Sequence, residues 1–201
     1  MKILAIDPSI NDTGWAFVEG LTRDDQGWHD ENAVWKWGNW KIGSNSYQFK
    51  LQEIVEHIII DCGGLDHEED WLVVEWPMYF DSEKGHVAAK AGHTINLAGI
   101  DCYIAGYFRL PWKNWHLLTA IQWKGSVSKE ITRMRFFRHM GIKQIYKVNH
   151  NAVDAVMMLL EFCKRKGITM KIVSKVMEMI PPEPEETEDE KILRLASGMR
   201  D

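Results

Sequence analysis

The chain has 201 residues, of which 45% are hydrophobic and 26% charged, so it has the size and composition of one ordinary globular domain with a short appendage. No apolar run reaches the length of a membrane span, and the N-terminus lacks the features of a signal peptide. Cys62, Cys102 and Cys163 are widely spaced among apolar neighbours, which predicts reduced, buried thiols. These features argue against secretion, membrane insertion and structural zinc, and they predict a cytoplasmic protein.

The net charge of −5 is unevenly distributed along the chain. Residues 178–201 carry 8 acidic and 3 basic side chains, which leaves residues 1–177 neutral. Within that neutral part, residues 109–147 carry nine Lys or Arg side chains and a single acid, Glu130. A local excess of this size is typical of a phosphate-binding surface, and the alternative is a solvated helix face.

The same division predicts the domain organisation. Residues 1–177 form one folded domain, and residues 178–201 form an acidic tail rich in Pro and Glu. The segment PPEPEETEDE after Ile180 has nothing to bury and is expected to be disordered. The final KILRLASGM segment has the pattern of a short helix that docks on a protein partner.

Three strands are predicted first along the chain. MKILAIDPS is a buried strand that ends at Pro8, and TGWAFVEG follows through a polar turn as its antiparallel partner. The third strand, WKWGNWKIG, alternates large apolar with polar or small residues, as a half-buried strand does. Its tryptophans are therefore assigned to sheet packing, and stacking on nucleic-acid bases is the alternative.

The rest of the domain alternates helices and strands. Residues 46–64 predict an amphipathic helix, residues 71–76 a strand, residues 85–108 a long helix, and residues 114–120 a fifth strand. Two further helices are predicted over residues 128–141 and 149–167. This order predicts an α/β fold with a five-stranded mixed sheet flanked by helices on both faces.

Three carboxylates stand at the ends of apolar elements. Asp7 ends the first strand, Glu75 nearly ends the fourth, and Asp154 lies in the first turns of the last helix. Neighbouring strand ends and a helix crossing them can bring such acids together, and hard oxygen ligands suit Mg²⁺ or Mn²⁺. Two such ions about 3.5–4 Å apart would favour phosphodiester hydrolysis. The alternative is structural: Asp7 shapes its turn, Glu75 pairs with a lysine, and Asp154 caps its helix.

Four segments of the sequence follow one another in the same order as the conserved motifs of a known family. ILAIDPSINDTGWAF, VVEWPMYF, TAIQWKGSVSKE and HNAVDAVMMLL resemble the motifs of RuvC-like Holliday junction resolvases of the ribonuclease H-like superfamily, particularly their phage forms. The resemblance covers residues 1–165 and implies a ribonuclease H-like fold. It also implies catalytic roles for Asp7, Glu75 and Asp154. Phosphate contacts are implied for Lys124 and Lys129.

One position departs from the family pattern. Resolvases of this type usually have Asp or His three residues before the last aspartate, and here that residue is Asn151. His150 is adjacent, and its i, i+4 spacing from Asp154 places both on one helix face. Either residue is a candidate ligand for a second metal ion.

The resemblance implies a homodimeric endonuclease that nicks four-way DNA junctions symmetrically and leaves 5′-phosphate ends. Two Mg²⁺ ions per site, replaceable by Mn²⁺, would be held by Asp7, Glu75 and Asp154 with Asn151 or His150, while Lys124 supports the scissile phosphate. The DNA-binding residues are expected to include Lys124, Lys129, Arg133, Met78, Tyr79 and Phe80. The last three are predicted to wedge into the junction centre, and a core turn is the alternative.

Two further questions stay open at the level of the sequence. Small residues on the helix over residues 85–108 predict either the dimer interface or a close packing surface on the sheet. The function alternatives are another ribonuclease H-like nuclease acting on branched DNA, flaps or RNA–DNA hybrids, and a catalytically inactive module that binds junctions or serves as an adaptor.

Overall fold

The structure, a computed structural model, describes residues 1–24, 27–29, 33–77, 92–141 and 148–168. The predicted wedge residues Met78, Tyr79 and Phe80 lie outside the described residues, and so do the first part of the long helix and the acidic tail.

A five-stranded mixed sheet forms the centre of the domain, as the sequence predicts. Its spatial order is β5-β2-β1-β6-β7, in which β2 is antiparallel to β1 and β5 while β1, β6 and β7 run parallel. The strands are β1 (Lys2–Asp7), β2 (Asp12–Glu19), β5 (Val34–Lys41), β6 (Trp71–Glu75) and β7 (Trp115–Leu118), with a small separate hairpin of β3 (Thr22–Asp24) and β4 (Gly27–His29).

Helices cover both faces of this sheet, which confirms the predicted fold class. They are α1 (Tyr47–Cys62), α2 (His93–Tyr107), α3 (Ala120–Trp123), α4 (Lys129–Met140) and α5 (His150–Arg165), and a 3₁₀ turn spans Trp112–Asn114. Local signals explain where they begin. The hydroxyl oxygens of Ser46 and Ser128 accept hydrogen bonds from backbone amides in the first turns of α1 and α4.

The period of two along the strands divides the core into two clusters. On β1, Ile3 and Ala5 pack with α4 and α5, whereas Leu4 and Ile6 pack with α1 and α2. Asp7 continues the Ile3–Ala5 series, so its side chain projects toward α5. The fold therefore determines on which face the carboxylate at the end of β1 is presented.

Three features differ from the sequence prediction. The hairpin β3–β4 was not predicted because its residues are mostly polar, and α3 was not predicted because a single helical turn has no periodicity to detect. Cys102 was predicted to be buried and is exposed, because it lies on the side of α2 that faces away from the sheet. Cys62 and Cys163 are buried, and burial raises the pKa of each thiol to about 12.

Among the described helices, none is both long and apolar enough to cross a membrane.

Candidate active site

Two carboxylates meet at the carboxyl ends of adjacent parallel strands. The β1–β6 register pairs Ile6 with Val74, so Asp7 and Glu75 are the next residues on the two strands. Glu75 shares the face of Val73, which packs in the same cluster as Ala5. Both acids therefore project toward α5 from neighbouring strands.

The third predicted carboxylate reaches the same edge from above the sheet. Helix α5 packs across β1 and β2, and its Asp154 is only 6% exposed. Lys124 Nζ lies 3.3 Å from Asp154 Oδ2 and forms the ion pair of this carboxylate. Asp154 is not a helix cap, because the cap of α5 is Asn149.

Helix α3 brings two side chains to the acids. A capping box between Thr119 and Gln122 begins this short helix, which directs Trp123 inward. The indole Nε1 of Trp123 donates a 2.9 Å hydrogen bond to Glu75 Oε2, and Lys124 Nζ lies 4.5 Å from the centre of the Trp123 ring. In the part of the chain that is described, the partner of the Glu75 carboxylate is thus an indole, whereas the structural alternative expected a lysine.

The first turn of α5 rests directly on β2. Asn149 Nδ2 donates a 2.7 Å hydrogen bond to Asp12 Oδ2, and Asn39 Nδ2 donates to the other oxygen of that carboxylate at 2.8 Å. Asn151 Nδ2 donates to the Asp12 carbonyl oxygen. The amide nitrogen of Asn151 is therefore used to seat the helix, while its Oδ1 is the atom left for a ligand role. His150 is exposed at the start of the helix.

The negative charges of Asp7, Glu75 and Asp154 repel one another. Burial raises the pKa of Asp7 well above its usual value, and the negative charges of Glu75 and Asp154 raise it further. Burial also raises the pKa of Glu75. The positive charges of Lys124 and Lys129 act in the opposite direction on both groups.

The predicted basic segment extends this positive field along α4. Lys129 and Arg133 are exposed one turn apart on the helix, and the Arg133 guanidinium carbon lies 5.4 Å from the Phe137 ring centre. Lys129, at the amino end of α4, contributes to lowering the pKa of both Asp7 and Glu75.

A fourth acid near these residues was missed by the sequence analysis. Asp101 on α2 is 0% exposed, and neither of its carboxylate oxygens has a hydrogen-bond partner in the part of the chain that is described. Burial raises its pKa well above the usual value, and the charges of Asp7 and Glu75 raise it further. The signal in the sequence was an aspartate inside the apolar run LAGIDCYIA.

The donor chemistry at this edge fits a hard divalent cation. The side chains are carboxylates whose mutual repulsion a cation would relieve, and oxygen donors are the ligands that Mg²⁺ and Mn²⁺ prefer. In the described ranges, however, no three Asp, Glu, His or Cys side chains are close enough together to hold an ion. The acids therefore share one edge without forming a closed ligand set.

Solved structures show the same fold. The chain resembles T. thermophilus RuvC in complex with a Holliday junction substrate at 17% identity and a TM-score of 0.53, and a second Thermus thermophilus RuvC structure at 18% and 0.54. Each match covers 84% of this chain and 98% of the RuvC chain. No protein-family model and no curated protein matches the sequence. The fold is therefore RuvC-like.

Proposed function

We propose that this protein is a structure-selective DNA endonuclease that resolves four-way junctions by divalent-metal-dependent phosphodiester hydrolysis. The observation that carries the proposal is the placement of Asp7 and Glu75 at adjacent strand ends with Asp154 above them, on a RuvC-like fold. The neighbouring RuvC was solved with a Holliday junction substrate, which supports branched DNA as the substrate class.

Each side chain has a distinct role in this proposal. Asp7, Glu75 and Asp154 would hold Mg²⁺, which supplies charge stabilisation for the phosphate and activates water when it is bound. Trp123 keeps Glu75 oriented through its hydrogen bond. Lys124 forms an ion pair with Asp154 in the free protein and would contact the scissile phosphate when DNA enters.

The basic residues outside the acidic edge would guide the DNA backbone. Lys129 and Arg133 lie one turn apart on the exposed side of α4, and their charges attract phosphates without reading sequence. We also propose that Met78, Tyr79 and Phe80, which directly follow the described part of the Glu75 strand, contact the junction centre.

A cleavage panel tests the proposal. A mobile four-way junction, a flap and an RNA–DNA hybrid of matched sequence are incubated with the full chain, with and without Mg²⁺. We expect symmetric nicks with 5′-phosphate ends in the junction alone. Asp7→Asn should abolish cutting and retain junction binding, because binding depends on the basic residues. Preferred cutting of the flap or the hybrid would instead favour another nuclease activity.

The residue that completes a second cation site can be assigned by substitution. Asn151 Oδ1 is a neutral oxygen donor three residues before Asp154 on α5, and His150 is a softer nitrogen donor that favours Mn²⁺ over Mg²⁺. If Asn151 is the ligand, Asn151→Asp should lower the Mg²⁺ concentration needed for half-maximal cutting. If His150→Ala abolishes Mn²⁺-supported cutting while Asn151→Ala does not, the histidine is the ligand.

A second candidate function is a module that binds junctions without cutting them. It is favoured by the use of the Asn151 amide to seat α5 on Asp12, at the position where the resemblance expects a metal-binding side chain. Tight junction binding with no cleavage in either Mg²⁺ or Mn²⁺ would support this function.

We further propose that the protein acts as a homodimer, because two matched nicks require two matched sites. The described part of α2 exposes Ile95 at 75% and Tyr107 at 53%, whereas Gly99 on the same helix is close to the Tyr47 hydroxyl of α1. The small-residue face is thus partly used within the chain. Ile95→Glu should shift the sedimentation of a dimer toward that of the monomer.

A further inference from the structure

Asp101 is an unusual residue on the face of α2 that packs against the sheet. Its helical neighbours Ile100 and Ile104 pack with Ile6 and Val74, the residues that precede Asp7 and Glu75. The Asp101 side chain is fully buried in these surroundings and neither oxygen accepts a hydrogen bond from a described residue. Buried polar groups normally have partners, and a buried carboxylate without one is strongly unfavourable unless a cation compensates it.

The charged groups around Asp101 indicate which site it faces. In the described ranges, Asp7 and Glu75 are the acids whose charges act on Asp101, and Asp101 acts in turn on Tyr47 and Cys102. Among the described residues, no lysine or arginine acts on Asp101, although Lys124 acts on both Asp7 and Glu75. The negative charge at this end of the sheet therefore exceeds what the described cations offset.

We propose that Asp101 supports the divalent-cation site as a fourth negative charge, which acts from the α2 face of the sheet behind Asp7 and Glu75. The inference rests on the proposed function and extends it. Helix α5, which carries Asp154, packs on the face of β1 that holds Ile3 and Ala5, and helix α2, which carries Asp101, packs on the opposite face with Leu4 and Ile6. The fourth negative charge is thus supplied by another helix, while Asn151 seats α5.

The test measures cation binding without DNA. Mn²⁺ affinity of the full chain is determined by isothermal titration calorimetry, and bound ions are counted by electron paramagnetic resonance. Asp101→Asn keeps the size of the side chain and removes its charge. We expect it to weaken Mn²⁺ binding at least tenfold, as loss of a ligand or its support does. The melting temperature without metal should stay the same or rise, because an unpaired buried charge is removed.

A second buried aspartate provides the matched control. Asp70 is 3% exposed, and its oxygens accept hydrogen bonds from the backbone amides of Lys2 and Asp66. These residues lie near the amino ends of β1 and β6, whereas Asp7 and Glu75 lie at the carboxyl ends. Asp70→Asn should lower the melting temperature and leave Mn²⁺ affinity unchanged. If Asp101→Asn does not fold, Asp101→Ser is measured in its place, with the same weakening expected.

The outcomes separate this inference from the proposed function. An Mn²⁺ affinity of Asp101→Asn within twofold of the wild-type value overturns the role of Asp101, whatever the nuclease activity is. A wild-type chain whose Mn²⁺ binding depends on Asp101 but which cuts no branched DNA supports the site and refutes the nuclease. A wild-type chain that binds no Mn²⁺ overturns both.

Discussion

Gly14 is the point at which β2 contacts the helix that carries Asp154. It pairs with Asp7 across the β1–β2 ladder, and the first turn of α5 lies directly on it. A Cβ atom at Gly14 would lie 2.1 Å from both the carbonyl carbon and the oxygen of Asn151 and 2.6 Å from the nitrogen of Ala152. Because these are backbone atoms, no side-chain rotation can relieve the overlap.

The size of the displacement follows from these distances. Non-bonded carbon atoms rest at about 3.5 Å or more, so the helix start must move by at least about 1.4 Å in Gly14→Ala. Overpacking of this kind costs about 3 kcal/mol, the upper part of the usual range. For a domain of this size, that corresponds to a melting temperature lower by about 6–12 °C. A shift of about 1 Å at reacting groups reduces turnover about 100-fold, so junction cutting should fall by at least that factor.

The assay combines thermal denaturation followed by circular dichroism with junction cleavage at a temperature where the variant is folded. Gly106→Ala is the control, because a Cβ atom there meets nothing within 4 Å and Gly106 lies in the last turn of α2, where alanine favours the helical conformation. It should melt at or slightly above the wild-type temperature and cut normally. A Gly14→Ala variant that melts like the wild type would refute the steric argument, and one that is destabilised but cuts normally would refute the link between α5 and catalysis.

Three further predictions concern charge. Lys124→Met should move the acidic limb of the pH–activity profile to higher pH, because Lys124 lowers the pKa of Asp7 and Glu75, and Lys124→Arg should largely restore the profile. Lys129→Ala should reduce the slope of log affinity against log salt concentration by about 1 in a junction-binding titration, whereas the control Lys166→Ala should leave the slope unchanged. If Lys129→Ala has the same slope as the wild type, Lys129 does not contact DNA. Without metal, the raised pKa values of Asp7 and Glu75 stabilise the folded chain at low pH, and this contribution is lost as pH rises from about 4 toward neutrality. The melting temperature should therefore fall over that pH range. The fall should be smaller in Asp7→Asn, because this variant lacks one of the two titrating carboxyl groups. A melting temperature that is equally pH-dependent in both proteins would contradict the last prediction.

Local sequence determined most of the secondary structure. The alternation of β1 and the 3.6-residue period of the long helices are encoded in neighbouring residues, so most strands and helices were predicted close to their observed bounds. The exception among the predicted elements is α2, which was predicted from residue 85 and is described from His93. The helices predicted over residues 46–64 and 128–141 are both observed, and Ser46 and Ser128 cap their first turns. Because strand ends carry the acids, the same reading also indicated Asp7 and Glu75 as neighbours.

Only the tertiary structure decided which partners these acids have. Trp123 reaches Glu75 across 48 positions of sequence, and Asn149 reaches Asp12 across 137, so no local pattern can encode either contact. Asp101 was not predicted because a single aspartate in an apolar helix gives no sign of whether it faces solvent or the sheet. Its burial depends on how α2 is rotated about its axis, and that rotation is set by packing against β1 and β6, which exists only once the sheet has formed.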